Sequence, residues 1–123
     1  MAEPERPEER TLAMQREYTA DAPAREDVDA LPGATVVEFG TNWCGHCTAA
    51  QPLISDAFAS HRNVRHLKVE DGPGRRLGRS YRIKLWPTLV FLRDGEEIAR
   101  VVRPTGQQSI DDALALVDPE ESP

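Results

Sequence analysis

Apolar positions along this chain fall into short blocks whose period changes from one block to the next. Thr35-Val36-Val37-Glu38-Phe39, closed by Gly40, is a β-branched run suited to a strand covered on both faces, with one carboxylate set inside it. From Cys44 to about Ser60 the period becomes helical: Ala50, Leu53, Ile54, Ala57 and Phe58 share one face, and Pro52 is expected to kink the helix. Asn63 to Val69 reads as a strand, Gly72-Pro73-Gly74 as a loop, and the segment through Arg75, Leu77 and Tyr81 as a short basic helix. Pro87 to Leu92 and Glu97 to Val102 are two further strands, and Asp94-Gly95 between them is a strong hairpin signal. Ile110, Ala113, Leu114 and Val117 give a last helix, from about Gln107 to Val117. Ahead of the first strong strand, Arg16 to Thr19 reads as a short edge strand and Pro23 to Leu31 as a helix stopped by Pro32-Gly33.

The resulting order is β-α-β-α-β-α-β-β-α. Helices between the early strands imply parallel pairing, and the late hairpin implies antiparallel pairing, so an α/β domain with a central mixed sheet and helices on both faces is expected. With 123 residues the chain fits one domain, placed at residues 14–117. Residues 1–13 and 118–123 are rich in Glu and Pro and poor in apolar residues, and both are expected to be disordered tails.

The net charge of -6 is not accompanied by any basic stripe, which argues against a nucleic-acid partner. Neither a membrane-length apolar window nor the apolar core of a secretory signal is present in the sequence, so the expected setting is the cytoplasm, without membrane association. A monomer is the default expectation. The acidic surface gives only a weak preference for basic partners.

The two cysteines, Cys44 and Cys47, form a C-x-x-C pair at the start of the kinked helix. In a reducing compartment such a pair points to catalysis or metal binding rather than to a structural crosslink. One helical turn brings the sulfurs close enough to bridge. Cys44 lies at the positive helix end, which lowers a thiol pKa, so it is the expected attacking thiolate; Cys47, deeper in, is the expected resolving thiol. Gly45 leaves room for a substrate backbone, and Trp43 offers an apolar wall beside the attacking sulfur. The spacing Cys44-x2-Cys47-x13-His61-x4-His66 also satisfies a two-Cys, two-His zinc site. Gln51 and Ala57 replace the core residues of such a finger, however, and Pro52 interrupts it. The sequence therefore favours His61 and His66 as solvated or edge histidines, with no metal and no bound cofactor. A third possibility is a docking module whose cysteines do not turn over.

Phe39-x-x-x-Trp43-Cys44-Gly45-His46-Cys47, Pro52 five residues later, and Trp86-Pro87-Thr88 before a strand and hairpin together resemble the thioredoxin family over about residues 16–117. The resemblance implies a thioredoxin fold and a thiol-disulfide oxidoreductase acting in cell redox homeostasis and electron transfer. Its partners would be protein disulfides and an external reductant, either a thioredoxin reductase or a small thiol. It implies a cis Pro87 facing the cysteines, with Trp86, Pro87 and Thr88 binding an extended substrate segment beside Trp43 and Gly45. Glu38 falls where the family carries a buried Asp, and Lys68 where it carries a partnering Lys, so Glu38 is the candidate base for Cys47 and Lys68 its candidate proton-shuttle partner. The Gly45-His46 filling is similar to that of protein disulfide isomerases. His46 is therefore a candidate for stabilising the thiolate and making the disulfide more oxidising. Arg103-Pro104 departs from the family, which usually has a small Gly after the last strand.

Overall fold

The structure, a computed structural model, describes residues 17–119. Its elements run α1 (Arg25–Asp29), β1 (Ala34–Gly40), α2 (Gly45–Phe58), β2 (Arg65–Glu70), α3 (Arg76–Ser80), β3 (Thr88–Arg93), β4 (Glu96–Val102) and α4 (Gln108–Val117). The four strands form one sheet in the order β2-β1-β3-β4. β1 pairs parallel with β2 and antiparallel with β3, and β3 pairs antiparallel with β4. This is the mixed sheet expected from the order of elements.

The expected edge strand at Arg16 to Thr19 shrinks to one parallel bridge, Thr19 opposite Val69; Arg16 lies outside the described residues. The bridge still matters, because it pins Tyr18 beside the end of β1. At the hairpin, Asp94 and Gly95 both take positive φ, 50° and 83°. That is the pairing a two-residue turn of matching twist requires.

Alternation along the strands sorts the core into two layers. On one face Val36, Leu89 and Phe91 pack with Ala50, Ile54 and Phe58 of α2 and with Ile110 and Leu114 of α4. On the other, Val37, Phe39, Val90 and Leu92 pack with Val28 of α1 and Leu77 and Tyr81 of α3 and its C-terminal end. Glu38 shares the parity of Val36, so it points toward α2. Lys68 and His66 pair in register with Glu38 and Val36 on β2, and they share that face.

The histidines differ from expectation. His66 is buried and stacks on Phe58 with ring centroids 4.2 Å apart, because its parity turns it toward α2 rather than to the edge. His61 is also buried, and its Nδ1 lies 2.6 Å from Oδ2 of Asp118. Asp118, which the sequence places at the start of a tail, is therefore packed against the domain at 2 % exposure.

Candidate active site

β1 ends at Gly40, and α2 begins five residues later, so the connection delivers Cys44 to the helix N-terminus. Cys44 is the N-cap residue, and its Sγ accepts the Cys47 N–H at 3.4 Å. The His46 N–H also points at this sulfur, and the Arg103 guanidinium adds positive charge. Burial alone would raise the Cys44 pKa. The Cys47 thiol, the two amides and Arg103 reverse that sign and hold Cys44 below the usual cysteine value.

Cys47 lies one turn inside, almost fully buried. Burial pushes its thiol up to about 11, with the hydrogen bond and charge of Cys44 adding to the rise and the Thr41 N–H opposing it. Both cysteines are free, and they approach to 3.1 Å. One thiol is thus prepared to ionise and the other to keep its proton, in a pair close enough to form a disulfide.

Around Cys44 the rim is aromatic. Trp43 is 76 % exposed and meets Trp86 edge to face, with centroids 5.8 Å apart. Trp86 packs against the cluster of Tyr18, Cys44 and Cys47, and its Nε1 donates to Asp71 Oδ2 at 2.9 Å. The Trp86-Pro87 peptide bond is cis. A Cβ built on Gly45 would meet nothing within 4 Å, so the surface over Gly45, beside Cys44, is open. His46 stands exposed, and the part of it that reaches the sulfur is its backbone N–H.

Thr88 departs from its expected place at the substrate surface. Its side chain is buried and donates to the Leu85 carbonyl at 2.6 Å, fixing the turn before β3. The Trp86 carbonyl, which an extended substrate would be expected to pair with, accepts from Arg103 Nε at 2.8 Å.

Beneath Cys47 the described residues form a buried polar cluster. Glu38 is fully buried and accepts from the Tyr18 hydroxyl at Oε2, from Gln51 Nε2 at 3.0 Å, and faces His66 Nε2 at 2.8 Å through Oε1. Burial would raise its pKa, but His66, Lys68 and Tyr18 outweigh it and keep the carboxyl below its usual value. Lys68 Nζ donates to Gln51 Oε1 at 2.5 Å and lies 4.6 Å from the Tyr18 ring centre; burial lowers its pKa.

Zinc finds no such arrangement: among the described residues no three His, Cys, Asp or Glu side chains are placed to hold a metal ion. His61 and His66 each face a carboxylate instead.

Residues 17–115 match the protein-family model described as Thioredoxin. The chain belongs to the thioredoxin family. Among solved structures this thioredoxin-family chain is similar to thioredoxin 2 from Pseudomonas aeruginosa PAO1 in its reduced form. The two share 59 % identity with a TM-score of 0.78, covering 87 % of this chain and 99 % of that one. Among curated proteins it is similar to thioredoxin H2-1 of Oryza sativa subsp. japonica, 33 % identical over 67 residues, and to thioredoxin H-type 1 of Nicotiana tabacum, 34 % identical over 67 residues. Those matches cover 54 % of this chain and 49 % and 53 % of the relatives, so the chain spans about half the length of the curated proteins it matches.

Three members of the site escape a reading of the sequence alone. Gln51 had a usable signal, a polar residue one turn after Cys47 within an apolar stripe. His66 had another, its parity with Lys68. Tyr18 had none locally, since it reaches the cysteines through long-range contacts, the bridge at Thr19 and the hydrogen bonds of its backbone with Asn42.

Proposed function

We propose that this thioredoxin-family protein is a thiol-disulfide oxidoreductase that works on protein disulfides through Cys44 and Cys47. The observation that carries the reading is the opposed tuning of the two thiols, Cys44 held low and Cys47 pushed up to about 11, across 3.1 Å. A thiolate is the attacking species in disulfide exchange, and a protonated neighbour waits until the mixed disulfide has formed.

Cys44 thiolate attacks a substrate sulfur, and the other substrate thiol leaves. The mixed disulfide lies in the open space over Gly45, against Trp43, Trp86 and Pro87. Cys47 then attacks Cys44, closes the Cys44-Cys47 disulfide and releases reduced substrate. Glu38 is the base for this second step. Once Cys44 is bound in the mixed disulfide its charge no longer opposes ionisation of Cys47, so the proton becomes easier to remove at the moment it must go. Lys68 serves Glu38 as a nearby positive charge. An external reductant, a thioredoxin reductase or a small thiol, restores the dithiol, and the working form is a monomer in a reducing compartment such as the cytoplasm.

Stabilising the Cys44 thiolate stabilises the reduced protein and so makes the disulfide more oxidising. Titration in glutathione buffers, read by fluorescence of Trp43 and Trp86, is expected to give one two-electron transition between about -270 and -180 mV. Cys44→Ser should abolish turnover, and Cys47→Ser should trap substrates as mixed disulfides. Absence of a reversible transition, or full turnover by Cys44→Ser, would overturn the reading.

A further inference from the structure

We propose that the Tyr18 hydroxyl relays the Cys47 proton to Glu38 when the mixed disulfide is resolved. The inference rests on the assignment of Glu38 as the base, and it names the path by which that base reaches the sulfur.

The path follows from packing. Tyr18 is buried in one cluster with Cys44, Cys47 and Trp86. A Cβ on Gly40 would fall 2.6 Å from Cys47 Sγ and 2.7 Å from Tyr18 Cζ, so the missing side chain of Gly40 lets the ring and the sulfur close over the end of β1. The hydroxyl donates to Glu38 Oε2, and its ring and the Cys47 sulfur close over the same face of Gly40, which sets the phenol beside the thiol. It therefore stands between the two ends of the transfer. Gln51 Nε2 donates to the Tyr18 oxygen at 3.3 Å and to Glu38 Oε2 at 3.0 Å, which fixes the two oxygens relative to each other.

Among the described residues, the titratable groups facing the hydroxyl are Glu38 from β1, Cys47 from α2 and Lys68 from β2. His66 holds the other oxygen of Glu38, and Glu17 acts on Lys68. Burial and then Glu38 drive the Tyr18 pKa far upward, so the phenol stays neutral and passes protons without storing charge.

The step balances. Cys47 S–H gives its proton to the Tyr18 oxygen as Tyr18 gives its own to Glu38 Oε2. The Cys47 sulfur bonds to Cys44, the bond from Cys44 to the substrate breaks, and the substrate sulfur leaves with the electron pair and takes a proton from solvent. Two electrons reduce the substrate, and the Cys44-Cys47 pair is oxidised. Glu38 returns its proton to solvent through the cleft of ≈ 480 Å³ lined by Tyr18, Asn42, Cys47, Gln51 and Lys68.

The test is single-turnover reduction of a fluorogenic peptide disulfide by the full chain, reading the phase whose rate does not depend on peptide concentration, from pH 5 to 9. Tyr18→Phe is expected to slow that phase roughly tenfold or more at pH 7, with the deficit shrinking as pH rises and Cys47 ionises directly to solvent. Alkylation of Cys44 should change less than twofold. Wild-type resolution rates across the pH range, or an equal slowing at every pH together with altered Cys44 reactivity, would overturn the relay. Glu38→Gln separates the two assignments: slow resolution there with normal resolution in Tyr18→Phe sinks Tyr18 and keeps Glu38, whereas normal rates in both sink both. Should Tyr18→Phe not fold, the wild-type rate in mixed H2O and D2O still decides. A relay moving two protons bows that plot, and a straight line overturns it.

Discussion

At φ 47° Arg103 occupies the left-handed region that favours glycine, and it uses that backbone to send its side chain back over the site. Its Nε bonds the Trp86 carbonyl, and its N–H bonds the Pro87 carbonyl at 2.9 Å. The same guanidinium helps to lower the Cys44 pKa. One residue thus couples the charge on the Cys44 sulfur to the backbone carbonyl that precedes the cis Pro87. Removing it should separate these effects. Arg103→Ala is expected to raise the Cys44 pKa and slow its alkylation near pH 7 by about two- to fivefold, the modest size reflecting an exposed and screened charge. Arg103→Lys keeps the charge and should recover most of that rate. An unchanged alkylation profile in Arg103→Ala would mean that the helix terminus and the Cys47 thiol alone set the thiolate.

At the level of elements, the junction of β1 with α2 depends on Gly40. Its backbone needs no glycine conformation; the constraint is space, because a Cβ there would collide with Cys47 Sγ and the Tyr18 ring. Gly40→Ala should cost about 1–3 kcal/mol of stability, as overpacking in a filled core does, and should also slow mixed-disulfide resolution by pushing Tyr18 from Cys47. Denaturant midpoints of the reduced protein check the first effect and single-turnover kinetics the second. A stable Gly40→Ala with normal kinetics would show that the ring can move without consequence. β1, α2, the β3-β4 hairpin and α4 were legible because their apolar periods are strong and their turn residues are specific. The cysteine pair was legible from its spacing, and the cis Pro87 through the resemblance to the thioredoxin family that the ordered set of motifs carries. β2 was only half legible: its inward positions 66 and 68 are polar, so a reading that seeks apolar alternation assigns the strand and misses what His66 does. Tyr18 was invisible for a different reason. Its place arises from the bridge between residues 19 and 69 and from its backbone hydrogen bonds with Asn42, contacts with no local pattern.

Across the whole molecule, the buried charges ride on the sheet layer that also carries the larger helix packing, so protonation of the site and global stability are linked. Glu38 has a folded pKa below its ordinary value of 4.5. A carboxyl of that kind contributes stability that is fully present above the unfolded pKa and is lost as pH falls through the folded pKa. The expected window of loss therefore starts near pH 4.5 and extends downward. Many other carboxylates titrate in the same range, so the absolute acid limb says little about Glu38. The difference between wild type and Glu38→Gln isolates it, because each proton taken up only on unfolding contributes about 1.4 kcal/mol per pH unit to the slope. Urea unfolding of the oxidised protein from pH 7 to 3 should give a shallower acid limb for Glu38→Gln, by up to one proton, whatever offset the substitution imposes at neutral pH. Parallel limbs would mean that Glu38 titrates alike in the folded and unfolded chain, and that His66, Lys68 and Tyr18 do not hold it ionised. The comparison belongs on the oxidised form, where neither cysteine carries a titratable proton and the buried carboxyl is read without them.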